Sequence, residues 1–272
     1  MPRVTALVTA YNEQARIGSA LDSLFAQSFD DFEVLVVDDG SEDDTPAILA
    51  ALRDPRLRVI HAGRLGRGGA LALGLQEARG DYVAILDADD AAYPERLARQ
   101  AAFLDAHPDV AWLGCGEERC DTQRGEHAIR LYPQDDAAIR AMAARCIPYS
   151  HSGVMLRRAI VAEGLNYDPW QSCLIDFDLF LRVASRHRVA NLPEPLVLRR
   201  LRDDSFFQSR FRRRAQNRAL ARMQADAVRR FALPARFHLF PLARLGYDLV
   251  PDRAKRLLRR MAGLRERILP AA

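Results

Sequence analysis

Three apolar runs in the first third of the chain each end in a turn rich in acidic or amide side chains, and helical patterns fill the intervals between them. Val4-Thr5-Ala6-Leu7-Val8-Thr9 runs into Tyr11-Asn12-Glu13, and Phe32-Glu33-Val34-Leu35-Val36-Val37 into Asp38-Asp39-Gly40-Ser41. Tyr82-Val83-Ala84-Ile85-Leu86 runs into Asp87-Ala88-Asp89-Asp90. Runs this apolar, without polar alternation, suit strands covered on both faces. Between them Ile17, Leu21 and Leu24 recur at helical spacing, and Thr45-Pro46 reads as a cap followed by proline at the first helical position. Leu57-Arg58-Val59-Ile60 is a further strand, and a helix led by Ala70 to Leu75 closes at Gly80. Repeated strand–helix units predict an α/β fold with a mostly parallel central sheet and helices on both faces. Ligands of such sheets bind beyond the carboxyl ends of the strands, where these turns fall. One acidic turn is ordinary loop chemistry; three along one edge describe a pocket.

From 109 to 205 the signals are mixed. Val110 to Gly114, Gly153 to Leu156 and Pro195 to Arg199 read as strands. Asp176 to Arg186 reads as an amphipathic helix with Phe177, Phe180, Leu181 and Ala184 on one stripe. Charge then divides the chain. Residues 1–205 hold 23 basic and 32 acidic side chains, net −9, whereas 206–272 hold 17 and 4, net +13. We therefore expect a body over 1–205 and a basic helical C-terminal extension over 206–272.

The extension carries Arg210, Arg212, Arg213, Arg214, Arg218, Arg222, Lys255, Arg256, Arg259 and Arg260. Leu239, Phe240, Leu242, Leu245, Leu249, Leu257, Leu258, Met261 and Leu264 alternate with them. Two readings stand: a helical cap packed on the body, or an amphipathic anchor on an anionic membrane surface. Nucleic acid is not expected, since no recognition fold or ordered stacking aromatics accompany the charge. No apolar run reaches the ~18–20 residues of a membrane span. The first strand begins at Val4 without the apolar core of a secretion signal. Cys115, Cys120, Cys146 and Cys173 form no CxxC pair, so reduced thiols in the cytoplasm are expected, with peripheral attachment to the inner membrane face under the anchor reading.

The sharpest chemical signal is Asp87-Ala88-Asp89 at a strand end. Two carboxylates one residue apart can meet a hard divalent cation, and that cation can bridge a diphosphate. In this company the chain resembles the family 2 glycosyltransferases, which have the GT-A fold. The resemblance runs from about Val4 to Ser205. It is carried by Val8-Thr9-Ala10-Tyr11-Asn12-Glu13, Val36-Val37-Asp38-Asp39-Gly40-Ser41, Gly66-Arg67-Gly68-Gly69-Ala70 with Gly74 and Gly80, and Leu86-Asp87-Ala88-Asp89-Asp90. His151-Ser152-Gly153-Val154-Met155 and Asp176-Phe177-Asp178-Leu179-Phe180-Leu181-Arg182 continue it.

The resemblance implies roles position by position. Ala10, Tyr11 and Glu13 match the first nucleotide-binding strip, with the Tyr11 ring placed to stack on uracil. Asp39 matches the carboxylate that takes a hydrogen bond from the base, with Asp38 beside it. Arg67 stands near the nucleotide, and Ala88 lies between Asp87 and Asp89, which match the metal motif for Mn²⁺ or Mg²⁺. Asp176 matches the catalytic base. The implied reaction moves a sugar from a UDP-sugar to the hydroxyl of a saccharide or lipid-linked acceptor, by direct displacement with inversion. Two departures stand out. Arg200-Leu201-Arg202 puts an arginine where many members have a histidine available to the metal or diphosphate, and Ile175-Asp176 replaces a Glu-Asp pair. An arginine cannot ligate a metal, but it can pair with phosphate.

Structural readings stand beside these roles. Tyr11 could pack at a domain edge, Asp39 could cap the turn before the second helix, and Arg67 could be a surface cation. Asp176 could be an N-cap and Asp178 a first-turn carboxylate facing a helix dipole. The ordered set favours function for Asp39, Asp89 and Asp176, and leaves Arg67 and His151 open. Two other classes compete. A nucleotidyltransferase acting on a sugar phosphate would need a glycine-rich loop where Ala10-Tyr11-Asn12-Glu13 stands, and a non-catalytic docking relative would have no use for Asp89 and Asp176.

Overall fold

The alternation of apolar side chains along each expected strand decides which layer each residue joins. The computed structural model describes residues 1–250 except 122–124, 172 and 202–212. The chain first lays down β1 (Val4–Ala10), α1 (Ile17–Phe25), β2 (Phe32–Asp38), α2 (Thr45–Ala51), β3 (Leu57–His61), α3 (Gly66–Glu77) and β4 (Tyr82–Asp87). Next come β5 (Ala91–Ala92), α4 (Arg96–Ala106), β6 (Val110–Asp121), β7 (Glu126–Arg130) and α5 (Asp136–Ala143). β8 (Met155–Arg157), α6 (Ile175–Ala184), β9 (Arg188–Leu201), α7 (Arg213–Arg230) and α8 (Leu239–Leu249) follow.

One mixed sheet runs β3-β2-β1-β4-β8-β6-β9-β5, with β7 paired to β6. The first four strands in that order are parallel, with Ala10 opposite Asp38 and Thr9 opposite Asp87. The three turns foreseen from sequence therefore lie side by side. Leu7, Leu35, Val83 and Ile85 face one core with Leu71 and Leu75 of α3 and Phe177 and Phe180 of α6. Val8, Val36 and Leu86 face the other with Ile17, Leu21 and Leu24 of α1 and Leu97 and Leu104 of α4. Gly80 is required by close approach, because a Cβ there would stand 2.5 Å from the backbone N of Thr5.

Local details differ from the sequence reading. Thr45 is the first residue of α2, preceded by Asp44 at the N-cap. The strand expected from Gly153 is only Met155–Arg157, because His151–Gly153 forms a 3-10 turn. Side chains of α4 take carbonyls there: Gln100 Nε2 donates to Gly153 O at 2.8 Å and Arg96 Nη2 to Val154 O at 3.1 Å. The late strand is longer than expected, since β9 pairs in parallel with β6 along most of its length, with register shifts near Trp112 and at Cys115, Gly116 and Glu117. None of the four cysteines is paired in a disulfide.

α7 buries Ala221, Ala227 and Val228, and Phe231 just beyond it lies under the Arg140 guanidinium at 5.0 Å. Arg244 of α8 donates through Nε to Gln224 Oε1 of α7 at 3.0 Å. The expected boundary at 205/206 falls in 202–212, outside the described residues. Arg202, Arg210, Arg212, Lys255, Arg256, Leu257, Leu258, Arg259, Arg260, Met261 and Leu264 also lie outside them. Among the described residues, no helix is long and apolar enough to cross a membrane.

Candidate active site

The turns after β1 and β2 are stapled together. Asn12 adopts the left-handed conformation, φ 54°, which asparagine tolerates better than most residues. Its amide donates to Ser41 Oγ at 3.0 Å and its Oδ1 accepts from the Glu42 amide at 2.8 Å. The Glu13 amide donates to Thr45 Oγ1 at 2.9 Å, and the Glu13 carboxylate lies 3.4 Å from Arg16 Nη1. Ala10 is buried at the end of β1. Asp38 is buried as well, accepting from the Ser41 amide at 3.1 Å and lying 3.0 Å from His61 Nδ1, so it braces the turn.

Tyr11 and Asp39 meet over this staple, through a residue the sequence reading did not single out. Arg64 lies over the Tyr11 ring, 3.1 Å from its centroid, and donates from Nη1 to Asp39 Oδ2 at 2.9 Å. The Leu65 amide donates to Asp39 Oδ1 at 2.6 Å. A cation thus rests on the aromatic face beside a carboxylate acceptor.

The turn after β4 is the second centre. Arg67, in the first turn of α3, donates from Nη2 to Asp87 Oδ1 at 2.7 Å, and His151 Nδ1 lies 3.4 Å from the same oxygen. Burial opposes the Asp87 charge, but Arg67 and then His151 outweigh it and hold this carboxyl well below the usual range. Arg67 is raised by Asp87, Asp176 and Asp89 together, against a cost from burial, so it sits in the field of all three. Asp87, Asp89 and Asp90 bring carboxylate oxygens within 4.8 Å of one another, while Ala88 is buried between the first two. Oxygen donors packed this closely suit a hard divalent cation.

Asp90 is committed to the frame. Its carboxylate accepts from Ser152 Oγ and from the Arg200 amide, and Arg200 Nη1 donates to Asp89 O at 3.1 Å. Burial, then the Asp89 and Asp87 charges, pushes its carboxyl up to about 7, while those two hydrogen bonds pull the other way.

Asp176 is the second residue of α6, and Leu174 stands at the N-cap with φ 54°, an uncommon conformation for a buried leucine. Tyr149 Oη donates to Asp176 Oδ2 at 3.3 Å. Burial and then Asp176 raise the Tyr149 hydroxyl well above its ordinary value, so it remains a donor. Tyr149 is wedged edge-on to Trp112, 4.9 Å between centroids, and tilted on Phe180 at 5.1 Å. His151 Nε2 lies 3.0 Å from Tyr167 Oη, so Tyr167 also looks into this centre. Asp178 pairs with Arg182 at 2.7 Å along α6.

The structure therefore gathers Tyr11 with Asp39, and Arg67 with Asp87, Asp89 and the field of Asp176. Arg64, Tyr149 and Tyr167, which no motif marks, complete the arrangement, together with Ser152 and Arg200, which the sequence shows only as members of longer runs. Asp90 was visible only as part of its acidic run.

The sequence profile described as Glycosyl transferase family 2 matches residues 5–165. The chain is 47% identical over 107 residues to the Succinoglycan biosynthesis protein ExoO of Rhizobium meliloti (strain 1021), over 39% of this chain and 31% of that protein. It therefore spans about a third of that relative's length. Among solved structures, S. aureus TarS 1-349 in complex with UDP-GlcNAc superposes with TM-score 0.66 at 22% identity, over 84% of this chain and 66% of that one. The mannosyltransferase PcManGT from Pyrobaculum calidifontis, in complex with GDP-Man and Mn²⁺, gives 0.65 at 21%, over 97% and 80%. At these identities the likeness concerns the fold.

Proposed function

Because this chain belongs to glycosyltransferase family 2, we propose that it transfers a sugar from a UDP-sugar to a saccharide or lipid-linked acceptor hydroxyl, with inversion. The observation that carries the reading is Arg67, which donates to Asp87 at the cluster formed by Asp87, Asp89 and Asp90. A cation held among these carboxylates supports a reading in which Arg67 receives the charge of a diphosphate and Asp176 serves as the base. The base of the nucleotide is assigned to Tyr11 and Asp39, and must take the place that Arg64 fills.

In the reaction, Asp176 accepts the acceptor's proton as the new C–O bond forms, and the anomeric C–O bond to the diphosphate breaks with its electron pair. Proton loss comes late, when the hydroxyl has become acidic through bond formation. Tyr149 fixes the orientation of Asp176, and Arg67 offers positive charge to the leaving diphosphate. Asp89 with Asp87 would hold Mn²⁺ or Mg²⁺, which supplies further neutralisation of that charge. One base opposite one leaving group gives single displacement and inversion.

Residues 206–272 are assigned as a basic extension to a catalytic body over 1–205, with peripheral attachment to anionic lipid. In their described part, Leu239, Leu242 and Leu245 are exposed along with Arg236.

The test of the reaction is nucleotide release from a panel of UDP- and GDP-sugars with Mn²⁺ or Mg²⁺. We expect UDP from one donor, dependent on the metal, and no pyrophosphate. GDP release in place of UDP would correct the donor, and silence across the panel would sink the reading.

A further inference from the structure

The chain has two tryptophans, and they live in opposite surroundings: Trp112 is 1% exposed in the core, and Trp170 is 91% exposed. An indole left in water forgoes one of the largest burial gains open to a side chain. Trp170 is nonetheless held on an ordered turn. Its amide donates to Asp168 Oδ1 at 2.9 Å, the Gln171 amide donates to Asp168 O at 3.2 Å, and Gln171 Nε2 donates to Cys173 O at 2.9 Å.

The turn is pressed against the candidate site. A Cβ on Gly68 would stand 2.7 Å from Asp168 O and 3.4 Å from Pro169 Cα, so the backbone here lies directly on the first turn of α3, beside Arg67. Tyr167, three residues before Trp170, has its hydroxyl on His151. Three residues reach at most about 10 Å, which keeps Trp170 near the rim of the site. The same segment leads into α6 and Asp176, whereas the nucleotide's base is assigned to the turns after β1 and β2 at the other end of the edge.

We propose that Trp170 is a stacking platform for the acceptor, and that this acceptor is a saccharide; the proposal rests on the transferase reading above. A pyranose ring presents a face of C–H groups ringed by hydroxyls. The electron-rich face of an indole matches those polarised C–H groups, and the hydroxyls stay in water at the ring edge. Such a partner can use a platform that is solvent-exposed when empty, and it brings a hydroxyl toward Asp176 without a closed pocket.

Because Trp112 is buried, acrylamide quenching of tryptophan emission reads Trp170 selectively. The protein with UDP and Mn²⁺ would be titrated with cellotetraose, maltotetraose and chitotetraose, with glycerol as a hydroxyl control. We expect at least one oligosaccharide, and not glycerol, to protect Trp170 and shift its emission to the blue. In transfer assays Trp170→Ala should raise the acceptor KM about ten- to a hundred-fold, the range of a truncated tryptophan hot spot. Donor KM and acceptor-free donor hydrolysis should stay unchanged, and Trp170→Phe should recover most of the acceptor affinity. Absence of protection by every oligosaccharide would overturn the proposal. So would a parallel rise in donor KM, or a lowered melting temperature in Trp170→Ala. Protection of Trp170 in a protein that releases nucleotide from no donor would sink the transferase reading and leave the platform standing.

Discussion

Asp176 sits where two jobs could be confused, since aspartate near a helix start often serves as a cap. Here the cap position belongs to Leu174, and the Asp176 carboxylate takes a hydrogen bond from the buried Tyr149. Asp176→Asn keeps the side chain's shape and removes the proton acceptor, so we expect turnover to fall ~10²–10⁴-fold, the usual scale for a general base. Donor KM and melting temperature should hardly move. A variant keeping more than half of wild-type turnover would remove Asp176 from the chemistry. Asp38, Asp39, Asp87 and Asp89 stand out in the sequence because they cluster at strand ends, whereas Asp176, near the start of α6, stands out only through the family resemblance. Their partners do not. Tyr149, Tyr167 and Arg64 look like any aromatic or basic residue until the fold folds three distant segments onto one edge.

Among the elements, Glu33 ties together more of the parallel half of the sheet than any motif suggests. Thr5 Oγ1 of β1 donates to it at 2.8 Å, Arg58 Nε of β3 at 3.2 Å, and the Arg79 amide beyond α3 at 3.0 Å. Burial alone would raise its carboxyl, but these donors win and hold it below its ordinary value of 4.5. A depressed folded-state value means that the ionised form favours folding. The contribution is complete above about pH 4.5 and is lost as pH falls through the folded value. Glu33→Gln should therefore be less stable than wild type at pH 7, with the gap narrowing toward pH ~3.5 in urea melts. A gap that stays constant would show that Glu33 contributes by packing alone. The parallel strands themselves were legible, because burial on both faces writes an unbroken apolar run. The β6–β9 ladder was not, since its register shifts at Trp112 and around Gly116 break any simple period.

At the scale of the whole molecule, the charge division at 205/206 and the packing of α7 pull toward different experiments. Ala227, Val228 and Phe231 cover the body, so truncation after Ser205 should lower the melting temperature by uncovering α5 and α6. Leu239, Leu242 and Leu245 are exposed, so the intact chain should co-sediment with anionic vesicles and leave neutral ones alone. Each basic residue near the surface is worth about 1 kcal/mol and is screened within about 10 Å at 0.1 M salt, so salt should release the protein steeply. Changing those three leucines to serine should weaken sedimentation without lowering the melting temperature; equal sedimentation would discard the anchor. The sheet order carries a different consequence. β5 follows β4 by only a few residues, yet its ladder is with β9, and Asp90 waits for an amide 110 residues further along. At ~5–20 residues per second on a ribosome, that wait lasts roughly 5–20 s. A nascent chain could thus hold its first βα units long before β9 arrives to clamp its acidic turn.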